Sequence, residues 1–429
     1  MNYPANTYPF RQDSTFLYFF GLDSPGLDAV IDVDDNKEIL FGDDIGLEDI
    51  IWMGHLPTLK ERASAVGVRR TGSRAKFEAA VRTALKAGRK IHYLPPYRAD
   101  IAQKIRSLLK VSGSKIKAGA SAEFIKAVVG QRTIKTKEEI REIEGALDVT
   151  FDMYRFAMKK AKPGRIEHEI SGGMEGIALS CGYRVAFPPI VTVNGQILHN
   201  HDHGNVLAKG RLLVMDMGAE SPMRYASDIT RTIPVGGTFN RRQRDIYEIV
   251  LAGQETAIRS IKPGVMYKEV HLKAARKMAA GLKELGLMKG DVGEAVTAGA
   301  HALFFPHGLG HHLGFDVHDL ENLGENHVGY DKSVQRSDQF GLAYLRMARA
   351  LEPGHVLTVE PGIYFIPALI AKWRKERKHL DFINYDKVEK FLDFGGVRIE
   401  DDVLVTSTGR RVLGKPIPKT VEDIQRACR

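Results

Sequence analysis

The sequence predicts an α+β protein in two parts: a smaller mixed α/β domain over residues 1–133, and a larger domain over 134–429 made of two pseudo-symmetric, duplicated halves whose strands form one curved antiparallel sheet with helices outside. Three observations carry this expectation. A chain of 429 residues exceeds one ordinary domain. A capping-box signature, Thr136-Lys-Glu-Glu139, opens a new amphipathic helix well inside the chain. A Lys-Pro-Gly helix stop at 162–164 is echoed at 262–264, and a period of 100 residues is too long for a solenoid but suits a duplicated half-domain.

The elements follow in order. Asp28-Ala-Val-Ile-Asp-Val, a turn at Asp34-Asp35-Asn36-Lys37 and Glu38-Ile-Leu-Phe alternate in polarity, which predicts a hairpin. Helical periods occupy 74–88 and 97–110, separated by an expected strand at Lys90-Ile-His-Tyr-Leu and the breaker Pro95-Pro96. In the second domain Ile140, Ile143, Leu147, Phe151 and Tyr154 keep one face of the helix that starts at 137. The echo places a second helix from Asn240-Arg-Arg-Gln243 to Lys262-Pro-Gly, and each is followed by another helix and then by strand material.

Composition narrows the class. Apolar residues at 43% with 27% charged are those of a globular protein, no apolar run approaches the ~20 residues of a membrane span, and the N-terminal segment lacks the basic and apolar parts of a secretory signal. Two cysteines, Cys181 and Cys428, are too few for a disulfide framework, so a cytoplasmic location is expected. The net charge of +9 is segregated: residues 1–59 carry 11 acidic and 2 basic side chains, residues 60–142 carry 21 basic and 7 acidic ones. The basic stretch has no interleaved aromatics on which bases could stack, so neither nucleic acid nor membrane is expected as a partner. Charge pairing within the first domain, or between subunits, accounts for the segregation.

Chemistry concentrates in the second half. Asp216, in Leu-Leu-Val-Met-Asp-Met, and Asp228, in Ser-Asp-Ile-Thr-Arg-Thr, read as residues of two strands joined by a turn near Ser221-Pro222. His311 lies in a glycine-rich segment, Glu360 ends the apolar run Val-Leu-Thr-Val, and Glu400 sits in Val-Arg-Ile-Glu-Asp-Asp. Singly, an aspartate in such a run is usually a turn or capping residue. Together, four carboxylates and one imidazole favour hard divalent ions such as Mn2+, Mg2+, Co2+ or Zn2+. One ion would be crowded by this set, whereas two sharing bridging carboxylates leave room for a bridging hydroxide, the nucleophile of metal-assisted hydrolysis.

These residues, in this order, resemble the pita-bread metallopeptidases, and within them the proline-directed branch of Xaa-Pro aminopeptidase and Xaa-Pro dipeptidase (prolidase). The resemblance rests on Asp216, Asp228-Ile-Thr-Arg-Thr, His307-Gly-Leu-Gly-His311, Glu360-Pro-Gly-Ile-Tyr and Arg398-Ile-Glu400-Asp, and in the first domain on Phe10-Arg-Gln-Asp-Ser-Thr-Phe-Leu-Tyr-Phe-Phe-Gly21. It implies a dinuclear site, most readily of Mn2+ with Co2+ or Zn2+ as alternatives. Asp216 would bind one ion, Asp228 and Glu400 would bridge both, and His311 with Glu360 would bind the other. Glu360 would also shuttle the proton, His307 and His318 would contact the scissile carbonyl and the tetrahedral oxyanion, and His199 and Arg398 would face the substrate. The implied partners are small peptides with proline at the second position and a second copy of the chain, as a homodimer or larger homo-oligomer.

The resemblance also sorts the remaining residues. His201 and His203 read as loop residues, His312 stands where relatives are often aromatic or apolar, Asp316 and Asp319 read as loop-fixing groups, and Asp401 and Asp402 as solvent-facing or strand-capping. The interval from Asp216 to Asp228 is one residue longer than is common, the start ahead of Phe10 is short enough to suggest a truncated first domain, and residues 366–392 insert between Glu360 and Glu400 in the manner of prolidases. Alternatives are a non-catalytic pita-bread module that binds peptides, or methionine-aminopeptidase-like specificity.

Overall fold

The computed structural model describes residues 6–113 and 115–429 and divides into two compact units, residues 1–128 and 129–429. In the first unit the expected hairpin pairs Asp28–Asp32 antiparallel with Lys37–Phe41, and Thr71–Gly72 adds a short parallel strand. Its core joins Phe20, Leu40, Leu59, Ala63 and Val68. Helices cover Arg74–Lys86 and Ala99–Leu109. The strand expected at 90–94 does not form: no described strand lies beside the segment, and Tyr93 O instead accepts from Ser121 N–H. Part of the segregated charge is paired inside this unit, where Arg89 binds Asp32 and Asp34, and Lys104 binds Asp28.

The second unit opens as the capping box requires. Thr136 Oγ1 accepts from Glu139 N–H at 3.2 Å, Glu139 Oε2 accepts from Thr136 N–H at 2.8 Å, and the helix runs Lys137–Lys160. Of its apolar face Ile143, Leu147 and Tyr154 are buried, while Ile140 and Phe151 are partly covered. Asn240 and Gln243 repeat the reciprocal cap at the start of Arg241–Ser260.

The echo extends to main-chain detail. Gly164 and Gly264 both take left-handed φ, 87° and 80°, and each is followed by a helix, Glu167–Ser180 or Tyr267–Glu284. Gly164 N–H donates to Leu207 O while Ile166 bridges Val206; Gly264 N–H donates to Leu351 O while Met266 bridges Ala350. Strand pieces follow each half. Ile190–Thr192, Leu212–Met217 and Ile229–Pro234 form one antiparallel three-stranded piece, and Val356–Val359, Asp401–Val405 and Arg410–Val412 another. Gly362–Tyr364 pairs with Gly396–Arg398. The pieces join where Glu400 N–H donates to Thr230 O at 3.0 Å and Thr232 Oγ1 donates to Arg398 O at 2.9 Å. Helices cover them, with Tyr154 OH reaching Met215 O and Tyr267 OH reaching Thr358 O. No helix among the described residues is long and apolar enough to cross a membrane.

Candidate metal centre

The carboxylates stand at strand ends that face one another across the joint. Asp216 lies opposite Thr230, and Asp228 immediately precedes the strand Ile229–Pro234. Gly218 permits this approach, because a Cβ there would sit 1.7 Å from Ser227 O. The turn of the hairpin falls at 221–225, where Ser221 N–H donates to Tyr225 O and Arg224 adopts φ 71°. Glu400 lies between the strands Gly396–Arg398 and Asp401–Val405, and its Oε2 accepts from Thr230 Oγ1 at 2.7 Å.

The histidines come from a loop laid along the strand Val356–Val359. Thr358 N–H donates to His311 O at 3.0 Å and Glu360 N–H to Leu309 O at 2.8 Å. Glycine is required between them, since a Cβ on Gly310 would meet Thr358 O at 2.1 Å. Asp228, His311 and Glu400 consequently offer donor atoms all within 4.8 Å of one another, and all three are buried. Glu360 joins them, its Oε1 3.5 Å from His311 Nε2, which is also 3.5 Å from Asp228 Oδ2. Asp216 is reached through Arg398, whose guanidinium binds Asp216 Oδ2, Tyr364 OH at 3.0 Å and Thr230 Oγ1 at 3.1 Å.

Packing anions this closely raises their proton affinity. Burial, then the Glu400 and Asp216 charges, push Asp228 well above the usual carboxylate range. Burial, then Glu360 and Asp216, do the same to Glu400. Glu360 is pushed up to about 7 by burial. His311 is driven well below its ordinary value by burial, which keeps it neutral as a metal ligand must be. Asp216 Oδ1 and Asp228 Oδ1 are buried without a hydrogen-bond partner. A cluster of buried anions with unpartnered oxygens and one neutral imidazole fits a divalent cation, which would supply the missing positive charge.

The other expected residues lie around this centre. His307 Nε2 is 2.9 Å from Tyr364 OH, and its Nδ1 is 3.9 Å from Glu360 Oε2. Burial holds His307 down to about 3. His318 stands edge-on to His311 with ring centres 4.3 Å apart. His199 is at the exposed rim, where partial burial and then Arg398 lower its imidazole. His201 and His203 both contact Pro189 O at 3.2 Å, and His312 is buried against His355.

Two expectations need correction or enlargement. Asp401 and Asp402 are not solvent-facing: both are buried. Asp401 pairs with Arg231 and Lys419, and Asp402 accepts from Asp228 N–H at 3.0 Å. The reason is Arg231, a cation in an otherwise buried strand that requires a buried partner; its guanidinium also donates to Glu400 O. That requirement was the available signal. Tyr364, Thr230, Glu321 and Arg346 were missed. The last two line a pocket with His311, His312, His318, Asp319, Glu325 and Val328, and Asp319, held by Arg132 and Lys135, fixes its loop. The insertion at 366–392 contributes the helix Pro367–Lys375 and buries Trp373 against Phe340.

Residues 141–407 match the model of Metallopeptidase family M24, and residues 1–92 that of the Aminopeptidase P, N-terminal domain. A Homo sapiens protein named Xaa-Pro dipeptidase is 33% identical over 98% of this chain and 84% of its own. A probable Xaa-Pro aminopeptidase of Aspergillus clavatus is 34% identical over 97% and 88%. Among solved structures, zinc-substituted aminopeptidase P from E. coli in complex with product superposes with a TM-score of 0.80 at 31% identity, covering 100% of this chain and 91% of that one.

Proposed function

The chain belongs to metallopeptidase family M24, and from that premise we propose that it hydrolyses the bond between an N-terminal residue and proline, using two divalent ions. The observation that carries this reading is the convergence of Asp228, His311 and Glu400, with Glu360 at their edge and Asp216 beyond. In it Asp216, Asp228, His311, Glu360 and Glu400 would hold the ions. The oxygen-rich donor set favours Mn2+, with Co2+ or Zn2+ as substitutes. Such ions polarise a carbonyl and make water acidic enough to attack at neutral pH.

The side chains supply the rest. Glu360, set beside His311 at the edge of the cluster, takes the proton of the attacking water and delivers it to the leaving nitrogen. That delivery matters for proline, whose tertiary amide nitrogen carries no hydrogen. His307 and His318 contact the carbonyl and the developing oxyanion, His199 faces the substrate from the rim, and Arg398 holds Asp216 and Tyr364 in place.

Arg346 favours the dipeptidase over the aminopeptidase form. Its guanidinium lines the pocket with His311 and His318 and pairs there with Glu321, and its remaining N–H donors would bind the terminal carboxylate of a dipeptide, where a longer chain presents a neutral amide. Unpaired Cys181 and Cys428 support a reducing cytoplasm. The helix Leu47–Met53 exposes Leu47, Ile51 and Trp52, which supports a homo-oligomer, visible as twice the chain mass or more in sedimentation.

The test is to incubate metal-loaded protein with Ala-Pro, Ala-Pro-Ala and Met-Ala-Ser in parallel. Hydrolysis of Ala-Pro alone is expected; cleavage of Ala-Pro-Ala selects an aminopeptidase, and activity confined to Met-Ala-Ser overturns the proline assignment.

A further inference from the structure

Four consecutive residues beside the metal centre are fixed in unlike ways. His318 points its edge at His311. Asp319 is buried and bound by Arg132 at 2.7 Å and Lys135 at 2.8 Å. Leu320 is fully buried with φ 66°, a left-handed backbone that a leucine adopts only when its surroundings impose it. Glu321 then begins a short 3-10 turn whose N–H donates back to His318 O at 3.2 Å.

The consequence of the Leu320 reversal is that Glu321 faces the histidine three residues behind it. Its Oε2 accepts from His318 Nδ1 at 2.9 Å, and its Oε1 pairs with Arg346. Both neighbours hold the carboxylate ionised, His318 first, drawing it down to about 2. Arg346 thus anchors an acceptor whose other oxygen decides how the imidazole turns.

The geometry points to Glu321 as a positioning residue: by accepting the Nδ1–H of His318 it fixes the ring so that Nε2 is the nitrogen presented to substrate. Outer partners of this kind commonly orient histidines at metal sites, where their loss costs about 10–100-fold. Nothing in the spacing alone assigns Glu321, because the contact exists only through the left-handed residue before it. The inference rests on the reading that His318 acts on the substrate carbonyl, so the experiment separates the two.

Glu321→Gln and Glu321→Asp are compared with His318→Gln in metal-loaded protein. Steady-state kinetics on Ala-Pro are combined with ring-nitrogen NMR of histidine-labelled, Zn2+-loaded samples and with metal content. Glu321→Gln should lower kcat by about 10–100-fold with KM changed little and metal content intact, and should shift the His318 ring signals. Glu321→Asp, which keeps the charge but draws it back by one methylene, should do the same, and decides the matter if the glutamine variant folds poorly. Unmoved His318 signals and unmoved kcat in a folded Glu321 variant overturn the positioning role. If His318→Gln leaves kcat intact while Glu321→Gln still moves the ring signals, the contact stands and the catalytic reading of His318 falls instead.

Discussion

Asp216, Asp228 and Glu400 stand in or beside strands whose main chains hold one another, whereas His307, His311 and His318 stand on a glycine-rich loop whose middle is laid along Val356–Val359 by main-chain bonds and whose ends are fixed by side chains. On the carboxylate side, Glu400 N–H binds Thr230 O, Asp402 receives Asp228 N–H, and Arg231 ties Glu400 O to Asp401. On the histidine side, Asp319 is clamped by Arg132 and Lys135, while Phe305 lies between His307 and the buried pair His271 and His301. The first arrangement concentrates negative charge on a rigid frame and needs cations. The second keeps the imidazoles of His307 and His311 neutral by burial and needs them to stay neutral. The two sides should therefore fail under different insults.

Glu360 belongs to both sides, which makes it the most damaging place to cut. Its N–H is bound to Leu309 of the histidine loop and its carboxylate approaches His311. Glu360→Ala should lower kcat by about 10³-fold or more, the range of a lost general acid–base group, and weaken metal binding as well. Kinetics together with metal titration check this; near-normal turnover would remove Glu360 from its role.

Removing the metal should injure the carboxylate side first. Ligand that binds only the folded state contributes about 2.7 kcal/mol at a hundred times its Kd, and that stabilisation disappears on chelation. A fall in Tm with chelator, accompanied by faster amide exchange in 212–217 and 229–234 than in 307–313, is expected. Equal loosening of both segments would erase the distinction drawn between the sides.

Asp402 sharpens it further. Asp402→Ala leaves Asp228 N–H buried without its acceptor and should weaken metal affinity about 10–100-fold, with Asp402→Asn restoring most of it through the amide oxygen. Lys135→Met, on the opposite side, should lower Tm while metal affinity stays near normal. Calorimetric titration of both variants separates the two behaviours, and identical losses would contradict it.

How much of this was legible depended on the distance over which each contact is made. The capping boxes at Thr136 and Asn240, the Lys-Pro-Gly echo and the Asp28–Phe41 hairpin are local patterns, and they appear as read. The ligands were legible because each sits in its own short motif. Asp401 and Asp402 were misread because their partners, Arg231 and Asp228, lie about 170 residues away, and two adjacent acids after a strand look solvated until a buried arginine is placed opposite. Glu321 was missed for a different reason: its approach to His318 depends on the left-handed Leu320, a conformation that leucine does not advertise. The absent strand at 90–94 shows the converse, apolar alternation with no neighbour to pair with.

The smallest expected effect tests the histidine side through acid. His271 is wholly buried, its ring nitrogens have no hydrogen-bond partner, and burial, then His301 and His307, lower it to about 3; His301 is lowered to about 4 by burial and then His379. A histidine whose folded value lies below its unfolded one leaves stability intact above about pH 6.5. As pH falls below that value the unfolded chain takes up a proton that the folded chain refuses, and each such group removes up to about 1.4 kcal/mol per pH unit until its folded value is reached. His271→Leu fills much of the same space without a titrating group, so its Tm should decline more slowly than the parent's between pH 6.5 and 5. Parallel declines would mean that the acid sensitivity resides with the carboxylates, and the histidine side would lose its claim to a separate mode of failure.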